Sequence, residues 1–254
     1  MKNLWPIFAV IAAACSDPKD NISADDLGPA TFEVDESSTR SFDFSEEANQ
    51  LTAWDERFLD AGLVNIQEQI PEILVELKYS TTDNFFGRDV YDDLENAYLQ
   101  PEVVNMMEKA FLYLQEKDSS LTFLVYDGVR PRAVQQILWD NLDKPDSLKP
   151  LYVADPKIGG LHNYGVAVDL TLAHKDSGEP LDMGTKYDHF GYAAYPDREN
   201  QMLREGKITK QHIENRRLLR EVMKQAGFHG IGSEWWHFNA YTRKQAAEKF
   251  EIVE

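Results

Sequence analysis

Residues 160–172 read Gly-Leu-His-Asn-Tyr-Gly-Val-Ala-Val-Asp-Leu-Thr-Leu, and the last eight alternate between branched apolar residues and small or polar ones. Such alternation belongs to a β-strand, whose side chains point to opposite faces in turn. Val166, Val168, Leu170 and Leu172 would enter a core, while Gly165, Ala167, Asp169 and Thr171 would line a face with room above it. A half-buried carboxylate on that face needs a partner, because an unpaired one is costly. A metal ion would be such a partner, and His162, on the loop before the strand, could fold over to share it.

A second segment, Ser233-Glu234-Trp235-Trp236-His237-Phe238, adds another imidazole and another carboxylate. In a regular strand Glu234 and His237 would face opposite ways, so serving one site requires a turn around Trp235, which Gly232 and Ser233 permit. Trp235, Trp236 and Phe238 are expected to wall the site and raise the basicity of a nearby carboxylate by desolvation. Taken singly, Asp169 reads more readily as a turn cap and His162 as a surface histidine, and the second segment reads also as a buried aromatic strand with a satisfied histidine. Together they supply three ligands, an open fourth position and a carboxylate base, the inventory of a catalytic zinc site. His174, His189, His212 and His229 have no comparable setting and are expected to stay outside it.

The chain has 254 residues, 43% of them apolar and 11% aromatic, enough for one sizeable core. A formal net charge of -18 argues against binding nucleic acid or anionic lipid head groups. Residues 1–15 have the anatomy of a targeting segment: Lys2, an apolar run from Leu4 to Ala14, and small residues Ala12, Ala13 and Ala14. Cys15, the only cysteine, follows at once, so no intrachain disulfide can form. The arrangement resembles a bacterial lipoprotein signal, with Cys15 as the lipidated residue; an ordinary secretory signal is the alternative. Residues 16–56 are rich in Asp, Glu, Ser and Asn without apolar periodicity, and are expected to form an acidic flexible tether ahead of a domain at 57–254, whose first folded residue is expected between Ala53 and Val64.

Within that domain, Ile73 to Tyr79 reads as a strand and Thr81 to Phe85 as a polar loop. Pro101 suits a first helical turn, and Val103, Val104, Met107, Ala110, Phe111 and Leu114 follow at helical spacing. Leu121 to Tyr126 reads as a strand, followed by the turn Asp127-Gly128-Val129-Arg130-Pro131 and a helix carrying Val134, Ile137 and Leu138. A further helix spans about Glu214 to Ala226 and stops at Gly227. Strands and helices mix without βαβ regularity, so the expected class is α+β.

The H-x6-D and E-x2-H pairs resemble those of the zinc D,D-peptidases. Tyr79-Ser80-Thr81-Thr82-Asp83-Asn84-Phe85, Tyr126-Asp127-Gly128-Val129-Arg130-Pro131, Val168-Asp169-Leu170-Thr171-Leu172 and Leu181-Asp182-Met183-Gly184-Thr185 narrow the resemblance to the D-alanyl-D-alanine dipeptidases, which include the vancomycin-resistance dipeptidases. The likeness spans about Val64 to Tyr241. It implies a single domain of the D,D-peptidase/hedgehog-like kind, with helices packed around a central, mainly antiparallel sheet that carries one Zn2+ per chain. His162, Asp169 and His237 become the zinc ligands, Glu234 the general base for a zinc-activated water, and Arg130 the group that stabilises the oxyanion. Arg130, Gly160, Asp83 and Asn84 are implied to meet substrate, and Asp182 to hold a ligand imidazole from behind, a cap being equally open for it.

One departure is visible: relatives commonly carry Ser two residues before the first histidine, where this chain has Gly160. The hydroxyl lies near the substrate's end groups, so the change bears on which dipeptide is preferred. The implied activity is hydrolysis of small D,D-dipeptides from the bacterial cell wall, on the periplasmic side, with membrane contact only through Cys15 and no protein partner. A D,D-carboxypeptidase or peptidoglycan endopeptidase is the neighbouring reading, and a non-catalytic zinc-containing muropeptide-binding lipoprotein the distant one.

Overall fold

The computed structural model describes residues 51–254. The signal segment 1–15, Cys15 and residues 16–50 of the acidic stretch lie outside the described residues. The first helix opens at Ala53, the near edge of the expected window and ahead of position 57. Helix α1 (Ala53–Asp60) is opened by Thr52, whose Oγ1 accepts from the Asp55 amide at 3.1 Å while Asp55 Oδ2 accepts from the Thr52 amide at 2.8 Å. Asp55 is itself buried, accepting from the Tyr98 hydroxyl at 2.7 Å and from Asn96 Nδ2 at 3.0 Å. An acidic residue in an acidic stretch thus anchors the domain instead of ending a tether.

The chain continues through β1 (Val64–Asn65), α2 (Ile66–Gln69), β2 (Leu74–Val75), β3 (Tyr98–Leu99), α3 (Pro101–Lys117), β4 (Leu121–Asp127) and α4 (Arg132–Asn141). It then forms β5 (Ala167–His174), α5 (Glu199–Arg204), α6 (Lys210–Gln225), β6 (His229–Gly230), β7 (His237–Asn239) and α7 (Arg243–Lys249). Strands β2-β4-β5-β7-β6 make one sheet, parallel only at β2–β4 and antiparallel elsewhere; β1 and β3 pair separately. Helix α3 packs on β4 and α6, and all six of its residues read above as apolar are buried. The architecture is α+β, as its interspersed pattern requires.

Several elements differ in extent from the sequence reading. The strand expected from Ile73 to Tyr79 pairs only at Leu74–Val75, and the chain then makes a 3-10 turn at Lys78–Ser80 that buries Lys78 and Tyr79. Helix α6 starts four residues before Glu214, because Thr209 caps it and His212 takes the place usually held by Glu or Gln in a capping box. Ile137 of α4 is exposed, unlike Val134 and Leu138. On β5 the row containing Ala167, Asp169 and Thr171 is buried as completely as the apolar row. The covering is the segment after β5: the Leu181 amide bonds Leu172 O at 2.8 Å, and the Tyr187 hydroxyl donates to Asp169 Oδ2 at 2.9 Å.

Candidate metal centre

Three neighbouring strands present one row of polar side chains. A register irregularity after Val125 sets Asp127 of β4 opposite Asp169 of β5, and Asp169 in turn stands opposite His237 of β7. His162 comes from a 3-10 turn just before β5, ended by Gly165 at φ 67, a left-handed conformation that favours glycine. The turn is tied to the β4–α4 connection by the Arg130 amide, which bonds His162 O at 3.0 Å. A sheet register and one cross-linked loop pair therefore bring together residues far apart in sequence.

One ligand atom from each of His162, Asp169 and His237 lies within 4.8 Å of the others. His162 Nδ1 donates to the Gly128 carbonyl at 2.8 Å, leaving Nε2 to face inward. His237 Nε2 donates to Asn239 Oδ1 at 2.8 Å, leaving Nδ1 to face inward. These two inward nitrogens stand 3.1 Å apart, and Asp169 Oδ1 lies 3.3 Å from the first and 2.9 Å from the second. Two lone pairs and a carboxylate oxygen aimed at one point repel each other unless a cation sits among them. Where no metal is bound, a proton takes that place. Burial alone would lower the basicity of His237, but its hydrogen bond to Asp169 and that residue's charge prevail and raise it to about 9. For Asp169 burial raises the pKa, and the two imidazoles draw it well below the usual range. The residues fit a bound divalent metal.

Glu234 precedes β7 in an irregular stretch, and its Oε2 is 3.9 Å from His237 Nδ1. Burial pushes its carboxyl up to about 7, the range of a group able to take and return a proton near neutrality. Arg130 donates from Nε and Nη2 to Asp127 Oδ2 and from Nη1 to Gln135 Oε1 at 3.1 Å, while its guanidinium lies over Tyr79, 4.9 Å from the ring centre. Its Nη2 comes to 3.8 Å from Asp169 Oδ2, so the guanidinium borders the metal centre from a fixed position. A cavity of about 430 Å³ is lined by all three metal-facing residues, Glu234, Arg130 and Gly160.

The remaining residues singled out from sequence lie elsewhere. Asp83 pairs with Lys78 at 2.9 Å and borders a separate cavity behind Tyr187. Asn84 folds its own loop, donating to the carbonyls of Lys78, Thr81 and Arg88 and accepting from the amides of Phe86 and Gly87. Asp182 bonds His212 Nε2 at 3.0 Å and the Gly184 amide at 2.8 Å, and the two metal-facing imidazoles are instead held by Gly128 and Asn239. Of the aromatic wall, only Trp236 lines the catalytic cavity. Phe238 is buried in the core, and Trp235 donates to Thr185 Oγ1 at 2.8 Å. His174, His189, His212 and His229 take no part in the metal-ligand cluster.

Asp188 is the site residue that sequence reading missed. It lines the cavity, accepts from the Tyr79 hydroxyl at 3.0 Å, and adopts φ 57, which an aspartate tolerates better than most residues. Its segment is fixed from beneath by Arg216, fully buried, which donates to the carbonyls of Met183 at 2.7 Å and Ala193 at 2.9 Å. No motif marks Asp188, since a loop residue with a left-handed backbone has no sequence spacing of its own.

A single cation site of two imidazoles and one carboxylate, flanked by a carboxylic acid and a guanidinium in one cleft, is the design of a mononuclear metallohydrolase. Residues 59–253 match the Peptidase_M15 family described as D-ala-D-ala dipeptidase. The chain belongs to that family. It is 34% identical over 179 residues to the D-alanyl-D-alanine dipeptidase of Escherichia coli K12, covering 69% of this chain and 83% of that protein. It is 29% identical over 200 residues to the enzyme of the same name from Enterococcus faecium, covering 71% and 92%. Among solved structures, VanYB in complex with D-alanine-D-alanine aligns at 15% identity and TM-score 0.36, over 60% of this chain and 76% of that one.

Proposed function

We propose that the chain hydrolyses D-alanyl-D-alanine and similar small D,D-dipeptides, using one zinc ion held by His162 Nε2, Asp169 Oδ1 and His237 Nδ1. The observation that carries the reading is the convergence of two inward lone pairs and a carboxylate oxygen beside Glu234 and Arg130 in one cleft. Family membership and the two dipeptidase relatives support the substrate class.

Bound zinc supplies Lewis acidity, lowering the pKa of water toward neutrality and polarising the scissile carbonyl. Glu234 accepts the proton of the attacking water and returns it to the departing amine, a double duty suited to a carboxyl raised to about 7. Arg130, held by Asp127 and Gln135, offers a charge that need not reorganise as the oxyanion develops. Asp188 takes the substrate's ammonium. Burial and the charge of Asp169 push its carboxyl well above the usual range, and a cationic partner restores its ionised form. A cavity of about 430 Å³ lies toward the small end of the roughly 300–1,000 Å³ spanned by small-molecule sites.

The deciding assay is amino-acid release from D-Ala-D-Ala, L-Ala-L-Ala and a muropeptide ending in D-Ala-D-Ala, before and after chelation and zinc return. Zinc-dependent cleavage of the free D,D-dipeptide alone is expected. Cleavage of the muropeptide in its place would make the protein a carboxypeptidase or endopeptidase, and silence on all three would leave a binding module.

We also propose that the chain is exported and held to a membrane through a lipid on Cys15. The run from Lys2 through Ala12-Ala13-Ala14 to Cys15 supports this. Cys15→Ser should move the protein from the membrane fraction to the soluble fraction, and an unchanged distribution would refute the anchor.

A further inference from the structure

A dipeptide presents two charges, and the cleft described so far answers only the ammonium. Asp155, Asp169, Asp188 and Glu234 all line it, an acidic surround that disfavours a second carboxylate. Two arginines also line it, Arg130 and Arg243. Arg130 is committed to Asp127 and Gln135, and it is 8% exposed. Arg243 is different. It begins α7, is exposed, and makes no ion pair or side-chain hydrogen bond among the described residues. In a chain of net charge -18, an arginine without a side-chain partner among the described residues that lines the catalytic cavity is a distinct feature.

Position 160 lines the same cavity and brings no side-chain donor to it. A Cβ built on Gly160 would stand 3.0 Å from the Ala154 Cβ, tighter than ordinary packing. Ala154 is not free to retreat, because its carbonyl accepts from Gln135 Nε2 at 2.9 Å, and Gln135 braces Arg130. A serine at this position would therefore crowd Ala154, and the glycine brings no hydroxyl to the cleft.

We infer that Arg243 receives the C-terminal carboxylate of the dipeptide and so sets the preference for a free carboxyl end. The inference rests on the dipeptidase reading and adds the specificity-determining residue to it. A guanidinium pairs with a carboxylate through two parallel hydrogen bonds, a geometry that an amide or a continuing peptide cannot reproduce. A chain continuing past the second residue would bring its next peptide group where Arg243 requires a charge. That discriminates a dipeptide from an internal bond.

The test compares zinc-loaded wild-type protein with Arg243→Ala and Arg243→Lys on D-Ala-D-Ala and on its C-terminal amide. The wild type is expected to favour the free acid. Arg243→Ala should raise KM for the acid by about 10- to 100-fold with kcat little changed, as loss of a charged hydrogen bond does, and should abolish the preference over the amide. Arg243→Lys should restore part of the preference, since it keeps the charge but not the fork. Arg243 is exposed, so unchanged thermal unfolding is expected and serves as the folding control. An Arg243→Ala variant that keeps both KM and the acid preference overturns the inference while leaving the dipeptidase reading in place. A wild type that cleaves acid and amide equally does the same. A wild type silent on both substrates overturns the dipeptidase reading and the inference together.

Discussion

Asn239 Oδ1 lies 2.8 Å from His237 Nε2, two residues along the same strand and on the same face. This contact decides which nitrogen of the imidazole faces the metal centre. Asn239→Leu should remove that bias and weaken zinc binding by about 10- to 100-fold, as the loss of such supporting contacts does elsewhere. Competition against a chelator of known affinity measures it. Wild-type affinity in the variant would mean that the strand alone orients the ring.

Zinc and a proton compete for His237 Nδ1. Its raised pKa of about 9 means that the metal-free protein carries that proton at neutral pH. Zinc affinity should therefore climb with pH up to about 9, and binding at pH 7 should release a proton. Calorimetry in buffers of different ionisation heat reads the count directly; zero release would place the proton elsewhere.

Glu234→Gln preserves shape and removes the base. Zinc stoichiometry should stay at wild type while kcat falls by roughly 10²- to 10⁴-fold. His162→Ala or Asp169→Ala should instead lose metal and activity together. Stoichiometric zinc retained in either ligand variant would show that the ligands are others.

Asp188→Asn removes the charge offered to the substrate's ammonium but keeps the side-chain shape. KM for the dipeptide should rise by about 10- to 100-fold with kcat largely spared. A fall in kcat with KM constant would give Asp188 a part in the chemical step instead.

Gly160→Ser crowds Ala154, and thermal unfolding should show a loss of about 1–3 kcal/mol, the usual cost of overpacking. Adding Ala154→Gly should recover most of it, because the clash is with that methyl group. Additive losses in the double variant would place the strain at another neighbour.

The sequence was most legible where a periodic pattern coincided with burial. The apolar row of β5 and the six buried positions of α3 follow from spacing alone, because apolar residues recur there with the period of each element; that the opposite row of β5 is buried as well does not. It was least legible at element ends. Thr52 and Asp55 start α1 inside an acidic stretch whose composition suggests solvent, and His212 completes a cap that no simple motif announces. Within the Thr-Thr-Asp-Asn-Phe stretch, Asp83 and Asn84 are implied by resemblance to meet substrate, yet Asn84 spends its amide folding its own loop.

The sequence by itself determined the donor types: two imidazoles, one carboxylate on a half-apolar strand, and a glutamate three residues before the second histidine. Those identities limit the chemistry before any fold is known, because ligand hardness and basicity belong to the side chains. Tertiary structure alone decided which atoms converge. The register of β4, β5 and β7 aligns Asp127, Asp169 and His237, and the Gly128 carbonyl and Asn239 select the inward nitrogens. It also placed Asp188 and Arg243 on one cleft with the metal centre. Convergence of this kind depends on long-range pairing, and local sequence carries no record of the distance between residues that meet only across a sheet.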